Sequence, residues 1–160
     1  MKIGIKNAIE YMKAPAEFLF IGKESDFEAD IYENIEEICA ALDLPPIVTA
    51  ERQRLIRADG MQIKPDILIR HDDGTMTVLE VKKAPAKFPA SGTMTQMAAV
   101  GQLLLYGNIL EAIINAPVRL ALIDTKIYYR TFCAFSGNRL PITLIEYQYN
   151  RLFVPYRGWR

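Results

Sequence analysis

The chain has 160 residues, with 19 Lys and Arg against 19 Asp and Glu, one histidine and two cysteines. This length suits a single domain, 1–160, able to bury its own core. The zero net charge excludes a protein held on nucleic acid by an overall basic surface, so affinity of that kind must come from a local patch. Cys39 and Cys133 are too few for a four-cysteine iron–sulfur cluster.

The opening stretch MKIGIKNAIEYMKAPAEFLFIG carries charges among its apolar residues and lacks a secretory cleavage signature, and no run reads as long enough to span a membrane. The chain therefore reads as cytoplasmic. Ala14 to Gly22 is an expected opening strand. Residues 24–42 form an amphipathic helix, because Phe27, Ile31, Ile35, Ile38 and Leu42 recur at steps of three and four. Cys39 falls near that stripe and is expected to be a buried thiol. Glu24 and Glu28 each stand one turn before a stripe residue and can point toward the buried side. Ile47 to Ile63 supplies a strand and its turn, with Arg52, Arg54, Arg57 and Lys64 as either phosphate contacts or a solvated basic face.

Lys64 to Lys82, KPDILIRHDDGTMTVLEVK, reads as a β-hairpin: an apolar strand (67–69), a turn over His71 to Gly74, and a second strand (76–82). His71, the only histidine, is expected in the exposed turn. Alternation puts Glu80 and Lys82 on one face and Leu79 and Val81 on the other. Charges on so apolar a strand cost several kcal/mol each when buried and unpaired. A divalent cation such as Mg²⁺ relieves two converging carboxylates, Asp66 and Glu80. A lysine beside it can stabilise charge developing on phosphate oxygens. The Pro- and Ala-rich loop Lys82 to Gly92 follows, where a substrate-contacting loop would be well placed. Residues 93–115 read as a long, largely buried helix ending before Pro117, with Gln102 and Tyr106 on one face. Arg119 to Tyr129 reads as a strand, Asn138-Arg139 as a turn and Ile142 to Phe153 as a last strand. The tail RLFVPYRGWR interleaves Arg151, Arg157 and Arg160 with Phe153, Tyr156 and Trp159. It can stack on bases or dock on the domain or on a second copy, and docking is favoured because Phe153 and Val154 continue a strand.

Pro65-Asp66, a gap, then Glu80-Val81-Lys82 resembles the PD-(D/E)xK nuclease superfamily. Glu24 to Asn34 (E-x-x-F-x-x-x-I-x-x-N) looks like the first helix of NucS-type endonucleases, and GQLLLYGNIL is similar to the Q-x-x-x-Y motif of RecB-like and NucS-type nucleases. The resemblance covers about residues 24–110. It implies an α/β restriction-endonuclease-like core, a mixed sheet flanked by helices on both faces. It further implies Asp66, Glu80, the Val81 carbonyl and Glu24 (Glu28 being the rival) on Mg²⁺ or Mn²⁺, Lys82 as the catalytic lysine, and Gln102 and Tyr106 at the site. The implied activity is metal-dependent hydrolysis of phosphodiester bonds, in DNA. The lack of net charge and of an added DNA-reading module points to a homo-oligomer or a larger DNA-processing complex. The alternative is a catalytically silent module of the same fold that binds nucleic acid or mediates assembly.

Overall fold

The computed structural model describes residues 2–4, 20, 22–85 and 89–159. In chain order these form β1 (Lys2–Gly4), α1 (Glu24–Glu33), α2 (Ile35–Ala41), β2 (Ile47–Arg52), β3 (Ile56–Ala58), β4 (Met61–Ile63), β5 (Ile67–His71) and β6 (Met76–Lys82). They continue with α3 (Pro89–Ile114), β7 (Val118–Asp124), α4 (Tyr129–Gly137), β8 (Ile142–Gln148) and β9 (Arg151–Tyr156). The expected opening strand from Ala14 to Gly22 lies almost wholly outside the described residues.

A mixed seven-stranded sheet in the order β1-β9-β8-β7-β6-β5-β2 forms the centre, and β3 and β4 pair with each other as a separate ribbon. β2, β5 and β6 run antiparallel in turn, whereas β7 and β8 run parallel to β6. The parallel step requires a crossover, and α3 provides it. Alternation divides the apolar residues between two cores. Ile67, Ile69, Leu79, Val81, Ala121, Ile123 and Ile145 pack with Phe27, Ile31 and Ile38 of α1 and α2. Leu68, Val78, Leu120, Leu122 and Leu144 pack with Leu103, Tyr106 and Leu110 of α3 and Phe135 of α4. The fold is thus mixed α/β, with helices on both faces of one sheet.

The stripe Phe27, Ile31, Ile35, Ile38 and Leu42 is buried as its spacing predicts. The single helix expected over 24–42 divides at Asn34, whose side-chain amide donates to the Asp30 carbonyl (2.9 Å) and competes with the helical ladder. In the β5–β6 turn, Gly74 takes a positive φ of 84° and Asp73 accepts from the Thr75 N–H (3.0 Å). His71 is not an exposed turn residue. It shares the inward parity of Ile67 and Ile69, is 3% exposed, and both ring nitrogens lie 2.8 Å from oxygens, Pro45 O and Thr77 Oγ1.

Three further expectations are corrected. The strand after Pro117 stops at Asp124, and residues 129–137 form α4. The last strand is a hairpin, β8 and β9, turned at Tyr149 and Asn150 with φ values of 49° and 61°. By length and composition the Gly92–Ile114 part of α3 is long and apolar enough to cross a membrane, contrary to the expectation that no run is. Nor is it the largely buried helix expected, being 33% buried over that stretch: its inner residues Ala99, Leu103, Ile109 and Leu110 pack in the core, while Met94, Leu105 and Ile113 are exposed.

The tail docks on its own chain. Gly158 and Trp159 N–H groups donate to Thr143 Oγ1 (2.9 and 3.4 Å), Tyr156 OH to the Leu140 carbonyl (2.7 Å) and Arg157 Nη2 to the Leu42 carbonyl (3.2 Å). Arg151 is exposed, and Arg160 lies outside the described residues.

Candidate active site

Pro65 explains why a site can open at the end of the central hairpin. The β5–β6 register pairs Ile67 with Leu79, and the His71 N–H donates to the Thr75 carbonyl across the same ladder (3.0 Å). Two residues further along this register, Pro65 would stand opposite Val81, in the pair type that exchanges both bonds. Proline has no N–H to give, so the ladder supplies the Val81 carbonyl no donor. The Val81 N–H instead donates to Asp66 Oδ2 (2.8 Å). In a strand the two polar groups of one residue project to the same side. The Val81 carbonyl therefore faces the edge where Asp66 sits.

Glu80 and Lys82 leave β6 on the α3 face, as alternation predicts. Lys82 Nζ lies 3.4 Å from Glu80 Oε1, while Glu80 Oε2 is buried with no donor from another residue; a hydrogen bond between the Glu80 and Asp66 carboxyls requires a proton on one of them. Burial, and then the Asp66 charge beside it, push the Glu80 carboxyl up to about 8. Burial alone would lower Lys82, but Glu80, Glu24 and Asp66 outweigh it and hold the ammonium above its ordinary value. Lys82 therefore feels the charges of Glu80, Glu24 and Asp66, and Glu80 those of Asp66 and Lys82.

From the opposite face of the sheet, α1 brings both candidate glutamates to this end. The Lys83 N–H donates to Glu24 Oε2 (3.2 Å). Glu28 is buried and accepts from Arg52 Nε and Gln53 Nε2 (both 3.0 Å). Glu24 is the one whose charge reaches Lys82, and Glu28 is neutralised by Arg52. Gln102 and Tyr106 also arrive. Gln102 Nε2 donates to the Tyr106 hydroxyl (2.7 Å), which donates to the Lys64 carbonyl (3.4 Å). Burial raises the Tyr106 hydroxyl above its usual range, with Glu80 and Asp66 adding to the effect.

Two parts of the arrangement went unnoticed in the sequence. Gln53 sits just past β2 at φ 52°, and its Nε2 joins Glu28 Oε2 (3.0 Å) to Asp66 Oδ1 (2.9 Å). Its own N–H donates to the Asp66 carbonyl (2.9 Å). The second part lies beyond Lys82, where Asp124 is 1% exposed. Its Oδ1 accepts from the Ala84 N–H (2.7 Å) and its Oδ2 from Gln96 Nε2 (2.8 Å), while Gln96 also donates to the Lys126 carbonyl (2.7 Å). Burial, opposed by these donors, pushes Asp124 up to about 7. Its signal in the sequence is an acidic residue at the end of an apolar strand, as at Glu80. The loop expected from Lys82 to Gly92 is thus tied down at Ala84, and α3 already begins at Pro89; residues 86–88 lie outside the described residues.

Among the described residues no group of three or more His, Cys, Asp or Glu is arranged to hold a metal ion. The chain matches no protein-family model, no curated protein and no solved structure.

Proposed function

We propose that the protein is a divalent-metal-dependent nuclease that hydrolyses phosphodiester bonds in DNA, built on a restriction-endonuclease-like core. The observation that carries this reading is the convergence of the Asp66 and Glu80 carboxyls beside Lys82, with Glu80 Oε2 buried and given no donor by the surrounding residues. Ionising Glu80 leaves that buried oxygen unpaired beside the Asp66 charge, at a cost of about 1–3 kcal/mol or more. A site awaiting a cation gives that cost a purpose. The chain order, with α1 and α2, the antiparallel β2–β5–β6 sheet, the α3 crossover and parallel β7, supports the core assignment.

The donors present are oxygens, which suit Mg²⁺ or Mn²⁺. Asp66, Glu80 and the Val81 carbonyl would hold the ion, and Glu24 stands at the rim, where it accepts from the Lys83 N–H. Mg²⁺ commonly takes one or two carboxylates and completes its shell with water and substrate phosphate, so a pair of carboxylates is enough. When bound, the ion neutralises the paired carboxylates and polarises the phosphodiester. Lys82, kept charged by its acidic neighbours, stabilises negative charge growing on the phosphate oxygens. Gln53 clamps Asp66 from one side while the Val81 N–H holds it from the other. Tyr106 braces the Lys64 backbone, two residues before Asp66. Asp124 fixes Ala84 and thereby the chain leaving Lys82.

One observation favours a second reading, a catalytically silent nucleic-acid-binding or assembly module: both Asp66 oxygens already accept hydrogen bonds. Plasmid DNA incubated with Mg²⁺, Mn²⁺ or EDTA separates the two. The nuclease reading expects cutting only with metal and none by Asp66→Asn. No cutting by the wild type with either metal would favour the silent module, and equal cutting by the variant would overturn the assignment of the reaction to Asp66.

A further inference from the structure

The β3–β4 ribbon stands at the rim of the candidate site and takes no part in the chemistry described above. It enters from Gln53, which holds Glu28 and Asp66, and leaves through Lys64, whose carbonyl accepts from Tyr106. Asp59 and Gly60 turn it at positive φ values of 48° and 77°. Its two faces differ. Ile56 and Ala58 pack against the α3 core and Ile63 is buried in it. On the outer face Arg57 pairs across the ribbon with Gln62, and Lys64 follows two residues on; all three are exposed.

The structure also divides the four cations of this stretch. Arg52 is bound to Glu28 and Arg54 to Glu51 (both 3.0 Å). Among the described residues Arg57 and Lys64 form no ion pair. Lys64 stands two residues before Asp66, and the ribbon thus leads into a centre that gathers Asp66, Glu80 and Glu24, which would repel a polyanion unless positive charge stood nearby. Two uncommitted cations flanking an amide, on one exposed face, match a run of phosphates.

We infer that the outer face of this ribbon, Arg57 and Lys64 on either side of Gln62, carries the phosphate backbone of the DNA substrate into the site. The inference rests on the nuclease reading. Contacts of this kind are electrostatic and indifferent to sequence, so the ribbon sets affinity and register rather than base preference.

The test is binding of a fluorescent DNA duplex in EDTA across a salt series, with cleavage in Mg²⁺ measured alongside. Arg57→Gln/Lys64→Gln is compared with Arg70→Gln/Arg139→Gln. In the control, Arg70 pairs with Met76 at the start of β6 and Arg139 precedes the parallel β8, so both lie at the sheet end away from Glu80 and Lys82. Losing two phosphate contacts should flatten the slope of log K against log salt by about 1.8. The control should keep the wild-type slope. Equal slopes in all three proteins, with cleavage intact in the wild type, would overturn the ribbon assignment and leave the nuclease reading standing. A flattened slope without cleavage by the wild type would uphold the ribbon as the DNA surface and remove the nuclease reading. A wild type that neither binds nor cuts DNA would overturn both.

Discussion

Replacing Glu80 by glutamine should stabilise the metal-free protein, and more so as pH rises. Glu80 is 2% exposed, and its carboxyl moves from an ordinary 4.5 up to about 8 through burial first and the Asp66 charge second. The folded chain therefore binds this proton more tightly than the unfolded chain. Glu80 contributes full stability below the unfolded value and loses it progressively as pH climbs through the folded one. At about 1.4 kcal/mol per pH interval of one, wild type should lose about 3 kcal/mol from this group between roughly pH 5.5 and 8.5. Glutamine keeps the shape of the protonated acid and cannot ionise. Urea unfolding in EDTA at the two pH values measures the gap between wild type and Glu80→Gln, which should widen by about that amount. Adding Mn²⁺ at the higher pH should return much of the lost stability to wild type and little to Glu80→Gln, since an ion bound only by the folded chain stabilises it. Parallel stabilities across the pH range would refute the reasoning, because Glu80 would then be neither desolvated nor crowded by Asp66.

Asp124 is a buried acid of a different kind and should respond in the opposite sense. Asp124→Asn turns an amide toward the donor Gln96 Nε2 or toward the Ala84 N–H, so urea unfolding near neutral pH should show a loss of about 1–3 kcal/mol. Gln53→Ala removes the bridge between Glu28 and Asp66 while leaving the ribbon and sheet in place. Mn²⁺ calorimetry should find weaker binding by about 10-fold or more, and unchanged affinity would show that Asp66 needs no such support.

The parts of the fold legible in the sequence were those governed by a local pattern. The α1–α2 stripe repeats apolar residues at helical spacing, the β5–β6 hairpin is marked by two apolar runs about an Asp-Gly turn, and α3 by one long apolar run ending before Pro117. Misreadings arose where a local signal competed with another. Tyr149-Asn150 turns the β8–β9 hairpin without glycine, so the strand seemed continuous. Asp59-Gly60 carries the same turn signal as Asp73-Gly74, yet its strands are only three residues each and show no alternation long enough to read. His71 follows turn-like neighbours but obeys strand parity. At the candidate site, Asp66, Glu80 and Lys82 stood out as charges on apolar strands. Gln53 could not, because an exposed glutamine after a strand has no period and its role depends on the β2–β5 register. Asp124 ended a strand thought to run on to Tyr129, which hid that it closes a network with Gln96.

The measurement that tests the central claim most directly is cleavage of linear, nicked, single-stranded and branched DNA by wild type and Lys82→Ala, with Mg²⁺, Mn²⁺ or EDTA. Among the described residues the half-buried Lys82 bonds to no side chain but Glu80, so its loss should abolish cutting without lowering the unfolding temperature. Metal-dependent cleavage by wild type that vanishes in Lys82→Ala is the predicted result. Cleavage at equal rates by both proteins, or by neither on any of these substrates, would contradict it.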